Sequence, residues 1–219
     1  MSLELERVQI VAPAGALFAP LDLRIAPGAV ATVMGASGAG KSTLLDAIAG
    51  HLAPGFRLAG RIRLNGCDLA GLAPEARKVG LMMQQPVLFA HLSLGDNLGF
   101  GLPARVRGRA ARRAAVAAAL EQAGLGGLHD RDPASLSGGQ RSRAALMRTL
   151  LAEPAALLLD EPFSSLDAAL RADMRRFVFG HVRSRGIPAL LVTHDPADAE
   201  AAGGAVVHLT TGGPHAAGV

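Results

Sequence analysis

An apolar run, Ala29 to Met34, leads directly into Gly35-Ala36-Ser37-Gly38-Ala39-Gly40-Lys41-Ser42, and no other feature constrains this chain's fold as strongly. The octapeptide satisfies the pattern G-x-x-x-x-G-K-[ST], and the sequence continues as a helix over Ser42 to Gly50. Strand, glycine loop and helix in that order dictate an α/β unit in which a strand end faces a helix N-terminus. Such a junction offers backbone N–H groups and the positive end of the helix to an anion, and its glycines let phosphate oxygens approach the chain closely. Lysine occurs only at Lys41 and Lys78, while arginine supplies nearly every other positive charge. One of the two lysines therefore sits where a compact ammonium can reach between phosphates.

The rest of the chain alternates between strand and helix. Leu3 to Ile10 and Leu17 to Ile25 are predicted strands joined by a Pro/Gly turn, with further strands at Gly60 to Asn65 and Lys78 to Met83. From about His91 to Ser135 the strand signal vanishes and Arg107 to Ala123 reads as an Ala/Arg/Leu helix, so this stretch is predicted to be a helical insert. Beyond it come helix Gly139 to Ala152, strand Ala155 to Leu159, helix Leu166 to Val182 and strand Ala189 to Thr193. A short helix from Pro196 and a strand over Val206 to Leu209 close the pattern. Alternation of this kind predicts a mainly parallel sheet with its ligand at the strand C-termini. The Gly/Ala-rich tail, Thr210 to Val219, is expected to be loose.

Four further segments carry chemistry. Strand Ala156 to Leu159 ends in Asp160-Glu161, an unusual finish for a buried strand unless the acids act on something. Leu136-Ser137-Gly138-Gly139-Gln140 places small, hydrogen-bonding residues at a helix start, a second candidate anion site. Val192-Thr193-His194-Asp195 puts a histidine at a strand end, and Gln84-Gln85 follows strand Val79 to Met83. The other histidines, His51, His91, His129, His181, His208 and His215, show no metal-ligand spacing.

In this order the motifs resemble the ATP-binding-cassette (ABC) ATPases over residues 3–209. The resemblance implies a P-loop NTPase of the ABC-ATPase fold: a mainly parallel core sheet, an N-terminal antiparallel β subdomain and an α-helical subdomain at about 91–150, all within one domain. It implies that Gly35, Ala36, Ser37, Gly38, Ala39, Gly40, Lys41, Ser42 and Thr43 hold ATP. Ser42, Gln84 and Asp160 would serve Mg²⁺, with Asp160 acting through water. Glu161 would be the general base that orients water, Gln84 and His194 would sense the γ-phosphate, and Asp167 in Ser164-Ser165-Leu166-Asp167 would couple two sites. Gln85 is the neighbouring alternative to Gln84. Ser137, Gly138, Gly139 and Gln140 would close the ATP site of a second copy of the chain, so a monomer would be catalytically incomplete.

Further expectations concern partners. Leu88-Phe89-Ala90-His91-Leu92 resembles the importer segment that packs on a transmembrane permease, the alternative being an internal hydrophobic loop. A free-standing cassette with this segment is similar to importer subunits of the thiamine, iron, sulfate or polyamine type. That similarity implies permease partners, a periplasmic or lipoprotein solute-binding protein, and peripheral attachment at the cytoplasmic face of the inner membrane. A lipoprotein-release or cell-division ABC complex is the alternative. No run approaches the roughly 20 apolar residues that a membrane-spanning helix needs, and Met1 to Arg7 has no apolar signal core. The net charge of +4 includes a cluster, Arg105, Arg107, Arg109, Arg112 and Arg113, readable as a solvated face or as a contact for lipid head groups or an acidic loop. The cluster lacks interleaved aromatics, so nucleic acid is not expected as a partner. The one cysteine, Cys67, is expected to be a packing residue. Finally, the family's adenine-stacking aromatic would fall near Ala12, in a chain with no Tyr or Trp, which predicts weak discrimination between ATP and GTP.

Overall fold

The computed structural model describes residues 1–210, so the expected loose tail lies outside the described residues from 211 onward. The chain forms two compact units, one built from residues 1–81, 155–160 and 175 onward, the other from 82–154 and 161–174.

The first unit contains two sheets. Strands β1 (Leu3–Ala12), β2 (Gly15–Ala16) and β3 (Leu21–Ile25) form one sheet with β5 (Arg57–Leu64) and β6 (Cys67–Asp68), all antiparallel. Burial along β1 changes phase. Leu3 and Leu5 point inward, then Val8 and Ile10, and the extra residue is absorbed by a bulge at which Arg7 takes φ 47° and its N–H donates to Asp22 Oδ1 (2.8 Å). A bulge of this kind lets both halves of a strand face one core despite the shift in alternation.

The second sheet has the order β10-β4-β9-β8-β7. Here β4 is Val30–Met34, β7 Val79–Met82, β8 Ala156–Asp160, β9 Ala189–Val192 and β10 Val206–His208. The β10–β4, β4–β9 and β9–β8 pairs are parallel. Every residue of β8 and β9 is buried, the continuous apolar run expected of strands covered on both faces. Helix α1 (Lys41–Ala49) packs its Leu44, Leu45 and Ile48 into the same core as β1 and β4. Its C-terminal end is held by Arg77, whose Nη1 donates to the carbonyls of Ala47 and Ile48 (both 2.9 Å). Burial lowers the pKa of this guanidinium from its ordinary value.

The second unit carries helices α2 (Leu94–Phe100), α3 (Arg109–Gln122) and α4 (Gly138–Leu151), and helix α5 (Ala168–Arg185) begins in it. The last helix of the chain, α6 (Pro196–Ala202), belongs to the first unit. Sequence patterning misses α2, a seven-residue helix interrupted by Gly95 and Gly99. It is fixed instead by Asn97, fully buried. The Asn97 amide nitrogen donates to the carbonyls of Phe89 (3.1 Å), Leu92 (3.2 Å) and Ser93 (3.0 Å), and its Oδ1 accepts from Phe89 N (2.8 Å).

Two local expectations change. Leu17 to Pro20 is not part of a strand: Pro20 cannot donate to a ladder, and β3 starts only at Leu21. Cys67 is exposed rather than packed, because the two-residue strand β6 lies at the sheet edge.

Candidate functional site

In the first unit the sheet register gathers three of the sequence motifs at one edge. Val33 of β4 pairs with Val192 of β9, and Val192 pairs with Asp160 of β8. Two residues beyond Val33 the chain enters the Gly35–Ser42 loop, and two beyond Val192 lies His194. The loop, Asp160 and His194 therefore leave the sheet at its C-terminal edge, where parallel α/β sheets bind ligands. Asp160 is 8% exposed, whereas Ser42 and His194 are exposed.

The loop turns into α1 at Gly40, which takes φ 86° as N-cap with no side-chain cap on the helix. A side chain there would be strained, and a Cβ would also lie 3.0 Å from Leu17 Cδ1 and 3.2 Å from Phe18 Cδ1. The first N–H groups of a helix have no intrahelical acceptor, so this uncapped turn suits an external anion. Lys41 Nζ folds back onto the carbonyls of Gly35 and Ala36 (2.9 Å each), which brings its charge over the loop. Phe18 is fully buried beneath the loop and offers no exposed ring to a base.

A magnesium ion fits this donor set. Mg²⁺ takes hard oxygen ligands and commonly only one or two from protein, the rest being phosphate and water. The Ser42 hydroxyl and the Asp160 carboxylate have that chemistry. Among the described residues no group of three or more His, Cys, Asp or Glu side chains forms a metal cage.

In the second unit Gln84 and Glu161, far apart in sequence, meet: Gln84 Nε2 lies 3.3 Å from Glu161 Oε2. Glu161 adopts φ 46°, and its carbonyl accepts from Ser164 N (3.3 Å) and Ser164 Oγ (3.0 Å), so a tight turn aims its side chain. The same turn continues to Asp167, whose Oδ1 accepts from Leu170 N (2.9 Å) and caps α5. Arg171 donates back to the Leu166 carbonyl (3.2 Å).

Ser137 is the N-cap of α4 in a complete capping box. Its Oγ accepts from Gln140 N (3.3 Å), and Gln140 Oε1 accepts from Ser137 N (2.9 Å). Because Oγ acts here as an acceptor, the Ser137 hydroxyl proton is still available to donate outward. Ser137 and Gly138 are exposed. Behind them α4 is tied to the Ser164–Asp167 turn, with Ser142 Oγ 2.7 Å from Ser165 Oγ and Gly139 packed against Leu166.

Sequence reasoning missed the residues that brace these motifs. Arg148 of α4 stacks over Phe89 (5.0 Å to the ring centroid) and donates to the Val87 carbonyl (2.7 Å), which holds the segment after Gln84. Beside this segment lies a cavity of about 660 Å³ lined in part by Leu92, Phe100, Arg109, Arg112, Arg113 and His129. Met83, Val87 and Phe100 are exposed apolar side chains of the same unit. His215 lies outside the described residues.

The family model described as ABC transporter matches residues 18–164. The chain belongs to the ABC transporter family. Over 196 residues it is 46% identical to the ABC transporter ATP-binding protein YnjD of Escherichia coli (strain K12), with 90% of each chain covered. It is 49% identical over 178 residues to the thiamine import ATP-binding protein ThiQ of Cereibacter sphaeroides, covering 81% of this chain and 76% of that one. Among solved structures it superposes on the dimeric, post-hydrolysis ATP-binding cassette MJ0796 bound to ADP and Pi. The TM-score is 0.83 at 25% identity, over 95% of this chain and 94% of that one. This ABC protein is thus an ATP-binding transporter subunit with the ABC-ATPase fold. Among the described residues no helix is long and apolar enough to cross a membrane.

Proposed function

We propose that this ABC subunit works as a single cassette that binds ATP with Mg²⁺, pairs with a second copy of itself, and drives solute import through a membrane permease. The observation that carries the chemical part is the convergence of the glycine loop, Asp160 and His194 on one sheet edge. The loop and Lys41 would bind the β- and γ-phosphates, with Thr43 on the α-phosphate side. Ser42, Asp160 and Gln84 would serve Mg²⁺, the ion neutralising phosphate charge when bound. Glu161, oriented by its turn and by Gln84, would accept a proton from the attacking water, and His194 would contact the γ-phosphate. The Ser137 hydroxyl and the N–H groups of Gly138 and Gly139 would complete the site of the second copy, with Gln140 holding Ser137 in place through the capping box. The dimeric MJ0796 cassette supports this pairing.

Import, rather than lipoprotein release or cell division, is supported by the likeness to ThiQ. The insert at about 91–150, together with segment 88–92, would dock a cytoplasmic segment of the permease. The exposed Phe100 and Val87 and the nearby arginines suit a partner that is apolar with acidic flanks. That docking would place the subunit at the cytoplasmic face of the inner membrane, while a periplasmic or lipoprotein solute-binding protein would deliver the solute to the permease from the other side. The solute is chosen by those partners; thiamine, named in ThiQ, is the first to assay. The central test is E161Q, which should abolish ATP turnover while ATP accumulates a stable dimer on size exclusion. Full turnover in that variant would overturn the assignment.

A further inference from the structure

His194 is exposed at the mouth of β9, yet the residues on either side of it are held firmly. Thr193 Oγ1 donates to Asp198 Oδ2 (2.6 Å) and accepts from Asp195 N (3.1 Å). Asp195 Oδ1 accepts from Ala197 N (2.9 Å), which caps α6, while Asp195 Oδ2 accepts from Arg175 Nη2 (3.1 Å). Arg175 also donates through Nε to Asp198 Oδ1 (2.5 Å), and its Nη2 forms a second ion pair with Asp198. The side chains of Arg175 and Asp198 are only 15% and 5% exposed.

Helix capping alone does not call for this arrangement. Asp195 caps α6 without help, and a buried ion pair adds little stability over an apolar replacement of similar shape. What one guanidinium bridging two carboxylates supplies is geometry: its planar fork fixes both acids at once. Through Thr193 and Asp195 it thereby fixes the backbone on both sides of His194.

We propose that Arg175 is a positioning residue for His194, acting through Asp195, Asp198 and Thr193. This rests on the reading that His194 contacts the γ-phosphate. In this role Arg175 acts only through those side chains and sets the angle at which the imidazole leaves β9. Misplacing a catalytic contact by about 1 Å can cost about 100-fold in rate, whereas ATP affinity is supplied mainly by the glycine loop on another strand.

The test is the steady-state ATPase of the full chain in R175M, R175K, H194A and the R175M/H194A pair. R175M should lower kcat by about 10- to 100-fold with KM for ATP nearly unchanged, and R175K should recover part of the loss by restoring one charged bond. In the H194A background R175M should change kcat by less than about twofold, because residues acting as one unit are non-additive. Equal losses in both backgrounds would mean a merely structural role and overturn the proposal, as would parental kcat in R175M. Should R175M unfold, T193V serves instead: it keeps the ion pairs and removes the hydroxyl links, and its smaller kcat loss must likewise vanish with H194A. H194A alone reports separately on the underlying reading, and parental turnover there removes both that reading and the route through which Arg175 acts.

Discussion

Gly138 offers a way to ask whether the Ser137 helix start receives a ligand from outside its own chain. It is the first residue of α4, and a Cβ built on it meets nothing within 4 Å. Its φ lies outside the left-handed region, so alanine fits the backbone. Replacing a helical glycine by alanine stabilises by about 0.5–1 kcal/mol, chiefly by reducing the freedom of the unfolded chain. A first-turn position warrants the lower half of that range. For a chain of this size 1 kcal/mol moves the thermal midpoint by about 2–4 °C, so G138A should melt about 1–3 °C higher than the parent.

Catalysis should respond in the opposite sense. The new methyl would stand before the first N–H groups of α4, where the second copy's γ-phosphate is proposed to bind. Removing one well-placed oxyanion donor costs about 100- to 1,000-fold in turnover, and a methyl that holds the phosphate off several donors should cost at least the lower figure. Melting without nucleotide and ATPase rate on the same preparation separate the two effects. A more stable G138A with parental turnover would refute the trans site, since no ligand could then approach Gly138 closely. A less stable G138A would refute the steric reasoning itself. G139A is the internal control: its Cβ would lie 3.3 Å from Leu166 Cδ2, so the gain in stability should shrink to about zero.

Three other outcomes are expected. S142A and S165A should each destabilise by about 0.5–1.5 kcal/mol, and the double variant by no more than the larger of the two; strict additivity in denaturant melts would mean the 2.7 Å contact carries no energy. Burial pushes the Asp46 carboxyl above its ordinary range, with His51 partly opposing the shift. A raised folded-state pKa favours the protonated form in the fold, so stability from this group is full at acid pH and lost as pH rises through that value. D46N should thus melt higher than the parent at neutral pH and match it in acid, and a constant offset at all pH values would contradict the cause given. With Ala12 where the stacking aromatic is expected and Phe18 fully buried, ATP and GTP should be hydrolysed at comparable rates, and a strong ATP preference would show another base contact.

What was legible in the sequence is the part whose chemistry is written in consecutive residues. The Gly35–Ser42 loop, the Asp160-Glu161 strand end and Ser137–Gln140 each carry their turn residues and their functional atoms within one segment, so local pattern sufficed to place them on strand ends and helix starts. The strand β8 announced itself through four apolar residues in a row, because both faces are covered. Contacts between distant segments were not legible. Nothing local marks Asn97 as the residue that organises α2, since its partners are the carbonyls of a preceding loop. Nor does anything near Arg175 point to Asp198, twenty-three positions later. The phase change in β1, Leu3 and Leu5 against Val8 and Ile10, depends likewise on a distant residue, Gly60 of the partner strand, where a Cβ would strike the Arg7 carbonyl.

The same division separates catalytic motifs from their supports, and it bears on how the helix start at Ser137 can act on a second copy. The capping box satisfies the N–H groups of Ser137 and Gln140 within the chain, so the turn holds its shape before any partner arrives. Its remaining outward donors, the Ser137 hydroxyl and the N–H groups of the first turn, are preorganised and exposed, and binding a phosphate would require little ordering. The far side of that helix start is bonded to the turn that begins at Glu161, through Ser142 with Ser165 and through Gly139 against Leu166. A pull on Ser137 from the second copy's nucleotide would therefore load the turn that aims Glu161, the general base proposed above. Rigidity of this kind predicts that ATP binding at one site is felt at the other, so turnover should rise more steeply than linearly with ATP. The S142A/S165A pair should flatten that rise without lowering ATP affinity at low occupancy, and unchanged steepness in the pair would show that the two sites communicate by another path.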